Sequence, residues 1–270
     1  MFKKFFYISA AVIFFDCSYS HAEYESRHPM FVGQLANFGF WEEAVHAAIS
    51  YDERVESQKN LYRHVAHKLA LSKDDTTLDV GCGLGVGTIL IFDEFHPNKI
   101  VGIDSSKIRI EEALKTRQTS VQFLQMDAAE MLGFGNDSFD KVFSIEAIQH
   151  FERSSFLKEA FRVLKPKGRL VVASVFTKSK EASKRANELL PFPGGISLWQ
   201  PIDDFVGSLH DAGFQNVVVD AISDKVWHAI STWIQQNKLP SPWAEWPTGY
   251  SENLYDYYVI SAQKIPIYSY

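Results

Sequence analysis

From Thr76 onward, short apolar runs alternate with stretches whose apolar residues return at helical spacing. The runs are Thr77–Val80, Lys99–Ile103, Val121–Gln125, Phe139–Ser144, Arg169–Val175, Gln215–Asp220 and Tyr255–Gln263. Each has the length of a buried strand and falls short of a buried helix. The stretches between them predict helices over Thr88–Phe95, Ser106–Thr116, Phe151–Leu164, Lys178–Leu190, Ile202–Gly213 and Val226–Gln236. Strands alternating with helices indicate an α/β fold, a doubly wound sheet covered on both faces. Ahead of it, Phe31–Leu71 predicts two helices, the second over Glu56–Leu71 with Leu61, Val65, Lys68 and Leu69 near helical spacing. Pro191–Gly195 and the proline- and tryptophan-rich Leu239–Gly249 read as loops.

Between the first run and its helix lies Leu-Asp-Val-Gly-Cys-Gly-Leu-Gly-Val-Gly-Thr, residues 78–88. Glycine permits a sharp turn and lets a ligand touch bare backbone. A strand, a glycine turn and a helix start form a nucleotide-type site. The spacing is wrong for a dinucleotide: counted from Gly81 the third glycine position holds Val86, and from Gly83 it holds Thr88. A nicotinamide dehydrogenase is thereby disfavoured.

Ligands of such sheets bind beyond the carboxyl ends of the strands. Those ends present the glycine loop, then Asp104, then Asp127 with Ala128, then Ser144–Phe151. A carboxylate at Asp104 suits two ribose hydroxyls, and one at Asp127 suits an exocyclic amine. Each acid is alternatively no more than a helix cap.

Composition narrows the partners. The chain has 270 residues, 46% hydrophobic and 22% charged, with a net charge of −6. That describes a folded protein and disfavours nucleic acid, which selects clustered Lys and Arg. The 21 Phe, 11 Tyr and 6 Trp suit either an apolar, ring-bearing substrate or a dense core. Cys17 and Cys82 indicate no disulfide framework, and Cys82 reads as a small residue in a tight turn rather than a nucleophile. His64 and His67 read as surface histidines, so no metal site is expected. Met1–Ala22 is leader-like: Lys3 and Lys4, apolar Phe5–Phe15, then Ser20-His21-Ala22. It predicts export or a membrane tether, unless Met30 is the working start and the protein is cytoplasmic.

Together Leu78–Gly87, Val101–Ser105, Met126–Ala128, Asp137–Val142, Ser144–Phe151 and Phe161–Leu170 resemble the class I S-adenosylmethionine (SAM) methyltransferases. The likeness is greatest to those acting on small molecules, such as sugar O-methyltransferases and quinone or tocopherol methyltransferases. It spans roughly residues 35–265, with Gln34–Glu42 resembling a segment that folds over the cofactor. Lys167 departs from it where a second glycine is common. The resemblance implies a Rossmann-like, seven-stranded sheet, mostly parallel, with Tyr255–Lys264 as an antiparallel last strand. It divides the chain into the leader 1–22, an N-terminal helical lid 23–75, a SAM-binding core 76–176, and cap helices with the last two strands over 177–270.

The resemblance further implies SAM held by Asp79, Gly81, Cys82, Gly83, Gly85, Asp104, Ser105, Asp127 and Ala128, with Glu146 lining the site. His150 is the candidate general base for transfer to oxygen, since a histidine titrates near working pH; its alternative is a histidine bonded to backbone near a helix start. Phe38, Trp41, Trp199 and Trp227 are the candidate substrate contacts, or else pack the cap on the core. The expected activity is methyl transfer from SAM to a small molecule at oxygen. The alternatives are transfer to nitrogen or carbon and a SAM-fold protein without turnover.

Overall fold

Seven strands form one sheet: β1 (Thr76–Val80), β2 (Lys99–Asp104), β3 (Val121–Gln125), β4 (Phe139–Ile145), β5 (Leu164–Thr177), β6 (Gln215–Ala221) and β7 (Tyr255–Gln263). The computed structural model describes residues 29–43, 48–116, 120–190 and 199–265. The leader Met1–Ala22 and the loop Pro191–Gly195 lie outside the described residues.

The strand order is β3-β2-β1-β4-β5-β7-β6. β1 to β5 pair in parallel, and β7 runs antiparallel to both β5 and β6. The expected doubly wound sheet with an antiparallel last strand is therefore the fold observed. Its order reverses between β1 and β4, which opens a crevice beyond their carboxyl ends.

Eight helices cover the sheet among the described residues: α1 (Tyr51–Leu69), α2 (Val86–Phe95), α3 (Lys107–Ala113), α4 (Arg153–Val163), α5 (Lys180–Leu189), α6 (Ile202–Asp211), α7 (Trp227–Gln236) and α8 (Trp246–Ser251). Side chains alternate across the strands, so each strand feeds two cores. Leu78, Val80, Val101, Ile103, Val142 and Leu170 share one core with α4 and α6. Ile100, Phe123, Phe143, Val171 and Ala173 share the other with α1, α2, α3 and α7. No helix among the described residues is long and apolar enough to cross a membrane.

The N-terminal region differs from expectation. Among the described residues one long helix, α1, stands where a pair was predicted. It begins at a capping box in which Ser50 and Glu53 each satisfy the other's backbone N–H. Ahead of it, Pro29–Glu43 is a strap with one short 3-10 turn at Val32–Gln34. Leu239–Gly249 also differs, because α8 starts within it. Pro247 sits in the first turn of α8, where a proline's missing N–H costs nothing. Lys167, the departure noted above, adopts φ +70°, a left-handed conformation that glycine would accept without strain.

Candidate active site

The glycine loop leaves β1 under tension that only glycine relieves. Gly81, Gly83 and Gly85 have φ of +82°, +54° and +78°, and Gly85 caps α2. The N–H groups of Gly81 and Cys82 donate to the Ile103 carbonyl at 2.8 and 2.9 Å, which ties the loop to the end of β2. A methyl group at Gly81 would lie 2.3 Å from Ala147 Cβ, and one at Gly87 would lie 2.0 Å from the Tyr62 ring. Above Gly83 a methyl would meet nothing within 4 Å. The loop is thus packed on its flanks and open at its middle.

Asp79 lies beneath that loop, 2% exposed, and accepts from the Thr88 hydroxyl at 2.6 Å. Burial pushes its carboxyl up to about 7 against the pull of that bond. Asp104, 6% exposed, accepts from Gly83 N–H at 3.1 Å through Oδ2 and from Ser106 N–H at 2.9 Å through Oδ1. Arg109 stands 3.7 Å from Oδ2. Each carboxylate oxygen keeps a second lone pair, so Asp104 can still receive a pair of hydroxyls. Asp127 is exposed and closes a turn by accepting from Ala129 N–H at 2.8 Å, with buried Ala128 between them. Ser105 is exposed, and its carbonyl accepts from the Gln125 amide at 3.1 Å. Because β3, β2, β1 and β4 are neighbours, Asp127, Asp104, the glycine loop and Glu146 form a row along the crevice.

Cys82 is buried within the loop, and burial pushes its thiol well up. It is no nucleophile, because the thiolate is the reactive form. In a Cys17→Ser protein, a maleimide should label Cys82 only after unfolding in urea; stoichiometric labelling of the native enzyme would contradict this burial.

Glu146 turns out of β4 with φ +48°, a left-handed conformation that costs a non-glycine residue roughly 1–3 kcal/mol. Four bonds hold it, one of them from the Gln149 amide to the Glu146 carbonyl at 2.7 Å. Its N–H donates to the Ala173 carbonyl at 2.8 Å, and Oε1 accepts from Phe38 N–H at 2.6 Å and from the Tyr257 hydroxyl at 2.8 Å. Burial pushes its carboxyl up to about 7, against those two bonds and the charge of Arg54. His150 ends the 3-10 turn that follows, its side chain exposed and its N–H donating to the Ala147 carbonyl at 2.9 Å.

The strap reaches Glu146 because α1 pins it. Arg54, fully buried, donates to the carbonyls of Met30 (3.0 Å), Asn37 (2.7 Å) and Phe38 (3.2 Å). Its guanidinium lies 5.6 Å from the centre of the Trp41 ring, a cation–π contact. Gln58 donates to the Leu35 and Asn37 carbonyls, and Asn37 donates back to the Gln58 carbonyl. The strap's outer end is fastened to the C-terminal third: Trp41 N–H donates to the Lys225 carbonyl at 2.9 Å, and Trp233 Nε1 donates to the Pro29 carbonyl at 2.8 Å.

Three of the four candidate substrate residues converge. Phe38 meets Trp227 at 5.3 Å between ring centres, Trp246 at 4.9 Å and Tyr257 at 6.3 Å. Trp199 stacks on Tyr255 at 5.1 Å, and Trp227 stacks on Trp246 at 5.8 Å. Trp41 lies apart, over Arg54. All four are buried, so here they pack the strap and cap onto the core. The Trp227 indole N–H, at 0% exposure, has no hydrogen-bond partner among the described residues.

Sequence reading missed Arg54, Gln58, Trp246 and Tyr257. A signal for the first two was present, since Arg54, Ser57 and Gln58 extend the helical face of Leu61, Tyr62 and Val65. Polar residues at buried spacing need partners, and the strap supplies them. The histidines also differ in part: His67 is exposed, whereas His64 is half-buried and stacks on Phe40 at 4.5 Å.

The family described as "Methyltransferase domain" matches residues 71–229. Erythromycin 3''-O-methyltransferase of Saccharopolyspora erythraea is 32% identical over 212 residues, covering 72% of this chain and 66% of that protein. The O-methyltransferase resE of Aspergillus sclerotiorum is 30% identical over 221 residues, covering 76% of this chain and 79% of its own. Among solved structures, geranyl diphosphate methyltransferase in complex with GPP and sinefungin superposes with a TM-score of 0.77 at 14% identity, covering 91% of this chain and 96% of that one.

Proposed function

The chain belongs to the methyltransferase domain family, and from that premise we propose that it moves a methyl group from SAM to a hydroxyl of a small, apolar, ring-bearing acceptor. It is a SAM-dependent methyltransferase. The residues present fit that cofactor. Open space over Gly83 admits a ligand against bare backbone, and the spare lone pairs of Asp104 and the exposed Asp127 suit a nucleoside. When bound, SAM supplies a methyl group activated by a sulfonium centre.

The chain's own residues supply alignment and dryness. In-line displacement gains most from a fixed approach and from excluding water. The strap and the rings around Phe38 form an apolar wall beside the crevice. Oxygen as the methylated atom is supported by the relatives named as O-methyltransferases. The acceptor's proton then needs a receiver, and two groups after β4 qualify, Glu146 and His150.

One observation carries this reading: Gly83 open above, with Asp104 and the Glu146 corner on either side. It is tested by calorimetry with SAM and S-adenosylhomocysteine, then by transfer of tritiated methyl to a panel of hydroxylated acceptors. The expected result is binding of both, with transfer to a ring-bearing alcohol or phenol. Absence of SAM binding defeats the reading, and binding without any transfer favours a protein of this fold without turnover.

A further inference from the structure

We propose that Glu146 receives the acceptor's proton, and that the strap and Tyr257 hold its carboxylate for that purpose. The inference rests on the methyl-transfer reading and adds the acid–base group to it.

Placement comes first. The Glu146–Ala147 corner presses on the cofactor loop so closely that Gly81 has no room for a side chain beside Ala147 Cβ. On its other flank Glu146 meets the strap at Phe38 N–H, beside the aromatic wall. It therefore stands between the loop that receives the cofactor and the strap that covers the aromatic cluster. No other carboxylate in the row of strand ends has that double contact.

The two carboxylate oxygens are used differently. Oε1 takes both donors, Phe38 N–H and Tyr257 O–H. Oε2 has no hydrogen-bond partner among the described residues, and the side chain is not fully covered. One oxygen is anchored and the other is offered. The left-handed backbone at Glu146 directs the residue inward at an energetic cost, as strained residues at functional sites do. His150 instead lies exposed at the end of the next turn, where water competes with any acceptor.

In the step itself a lone pair of the acceptor oxygen forms the new C–O bond. The methyl–sulfur bond breaks with its electron pair left on sulfur, which becomes a neutral thioether. The hydroxyl proton passes to Glu146 Oε2, and bulk water later removes it. Charge balances: a sulfonium and a carboxylate become a thioether and a carboxylic acid.

The charged and titratable groups that act on Glu146 are Arg54 on α1 and Tyr257 on β7, the latter itself influenced by Tyr62. Burial pushes the Tyr257 phenol well up, so it remains a donor. Burial also places the Glu146 carboxyl at about 7, where a general base is most effective. A base is lost on protonation, so turnover should fall as pH drops through that value.

Glu146→Gln is the test, because a glutamine oxygen still accepts from Phe38 and Tyr257. Against a phenol, a hydroxyanthraquinone and a deoxysugar glycoside bearing a free hydroxyl, it should lower kcat by about a hundredfold or more. S-adenosylhomocysteine affinity and melting temperature should stay as in the wild type. The acidic limb of kcat should vanish in Glu146→Gln and persist in His150→Asn. A second arm needs no acceptor. In protein labelled with carboxyl-13C glutamate, the Glu146 resonance, identified by its loss in Glu146→Gln, should titrate near 7 and move upward in Tyr257→Phe. Titration near the ordinary ~4.3, or an acidic limb that disappears with His150 instead, overturns the proposal while methyl transfer stands. Failure of the wild type to methylate any of the three acceptors despite binding SAM overturns the methyl-transfer reading, and this inference with it.

Discussion

Gly81→Ala should yield a protein that neither binds SAM nor keeps its melting temperature. Two independent costs fall on that one methyl. The residue must hold φ +82°, which costs an L-residue roughly 1–2 kcal/mol. The methyl must also enter space 2.3 Å from Ala147 Cβ and 3.2 Å from the Phe151 ring. Ala147 has no flexible tail to swing aside, so the Glu146–Ala147 corner must retreat as a whole. Overpacking of that kind costs about 1–3 kcal/mol. Retreat would also pull Oε1 away from Phe38 and Tyr257, so the strap should loosen with the loop.

Gly83→Ala is the informative control. Its φ of +54° carries a similar backbone cost, but its methyl meets nothing within 4 Å. The fold should survive with a loss of about 1–2 kcal/mol, while the methyl occupies space the cofactor needs. Thermal melts and calorimetry on the pair separate packing from binding. A Gly81→Ala protein that binds SAM normally would show that the loop and the β4 corner are not in the contact described.

The contrast between these glycines also shows where sequence reading succeeds. Spacing alone marked Gly81, Gly83 and Gly85 as one ligand loop, because positive φ is a local property. The strands were equally legible: β3 and β7 were read to the residue, since a buried strand writes its apolar run into contiguous sequence. What escaped was long-range and polar. The bonds from Arg54 to Met30 and Asn37, or from Glu146 to Tyr257, join residues whose neighbourhood arises only after folding. In the sequence Glu146 reads as a residue lining the cofactor, and nothing local announces that the strap and β7 both donate to it. Pro247 misled for the opposite reason, because a proline that reads as a breaker can equally open a helix. The aromatic candidates were found by type, yet their packing on one another was not readable.

Arg54→Met should release the strap and leave the sheet folded. Methionine fills much of the same volume but donates nothing. The carbonyls of Met30, Asn37 and Phe38 would then lose a charged donor in a fully buried place. Each hydrogen bond to a charged group contributes about 1.5–3 kcal/mol, more together than a short strap is expected to survive. Arg54→Lys should not rescue it, since one ammonium cannot match the fork that spans three carbonyls. Burial draws the Arg54 guanidinium down to about 9, which leaves it charged at neutral pH. That charge favours the ionised form of Glu146, so its removal should raise the Glu146 carboxyl above about 7 and carry the acidic limb of kcat upward with it. Phe38 and Trp41 should leave their buried sites, and the emission of Trp41, Trp227 and Trp246 should shift to the red. Far-ultraviolet dichroism should change little, because the strap contributes a single 3-10 turn. An Arg54→Met protein with wild-type emission and an unmoved acidic limb would mean that Gln58 and the rings hold the strap without the arginine.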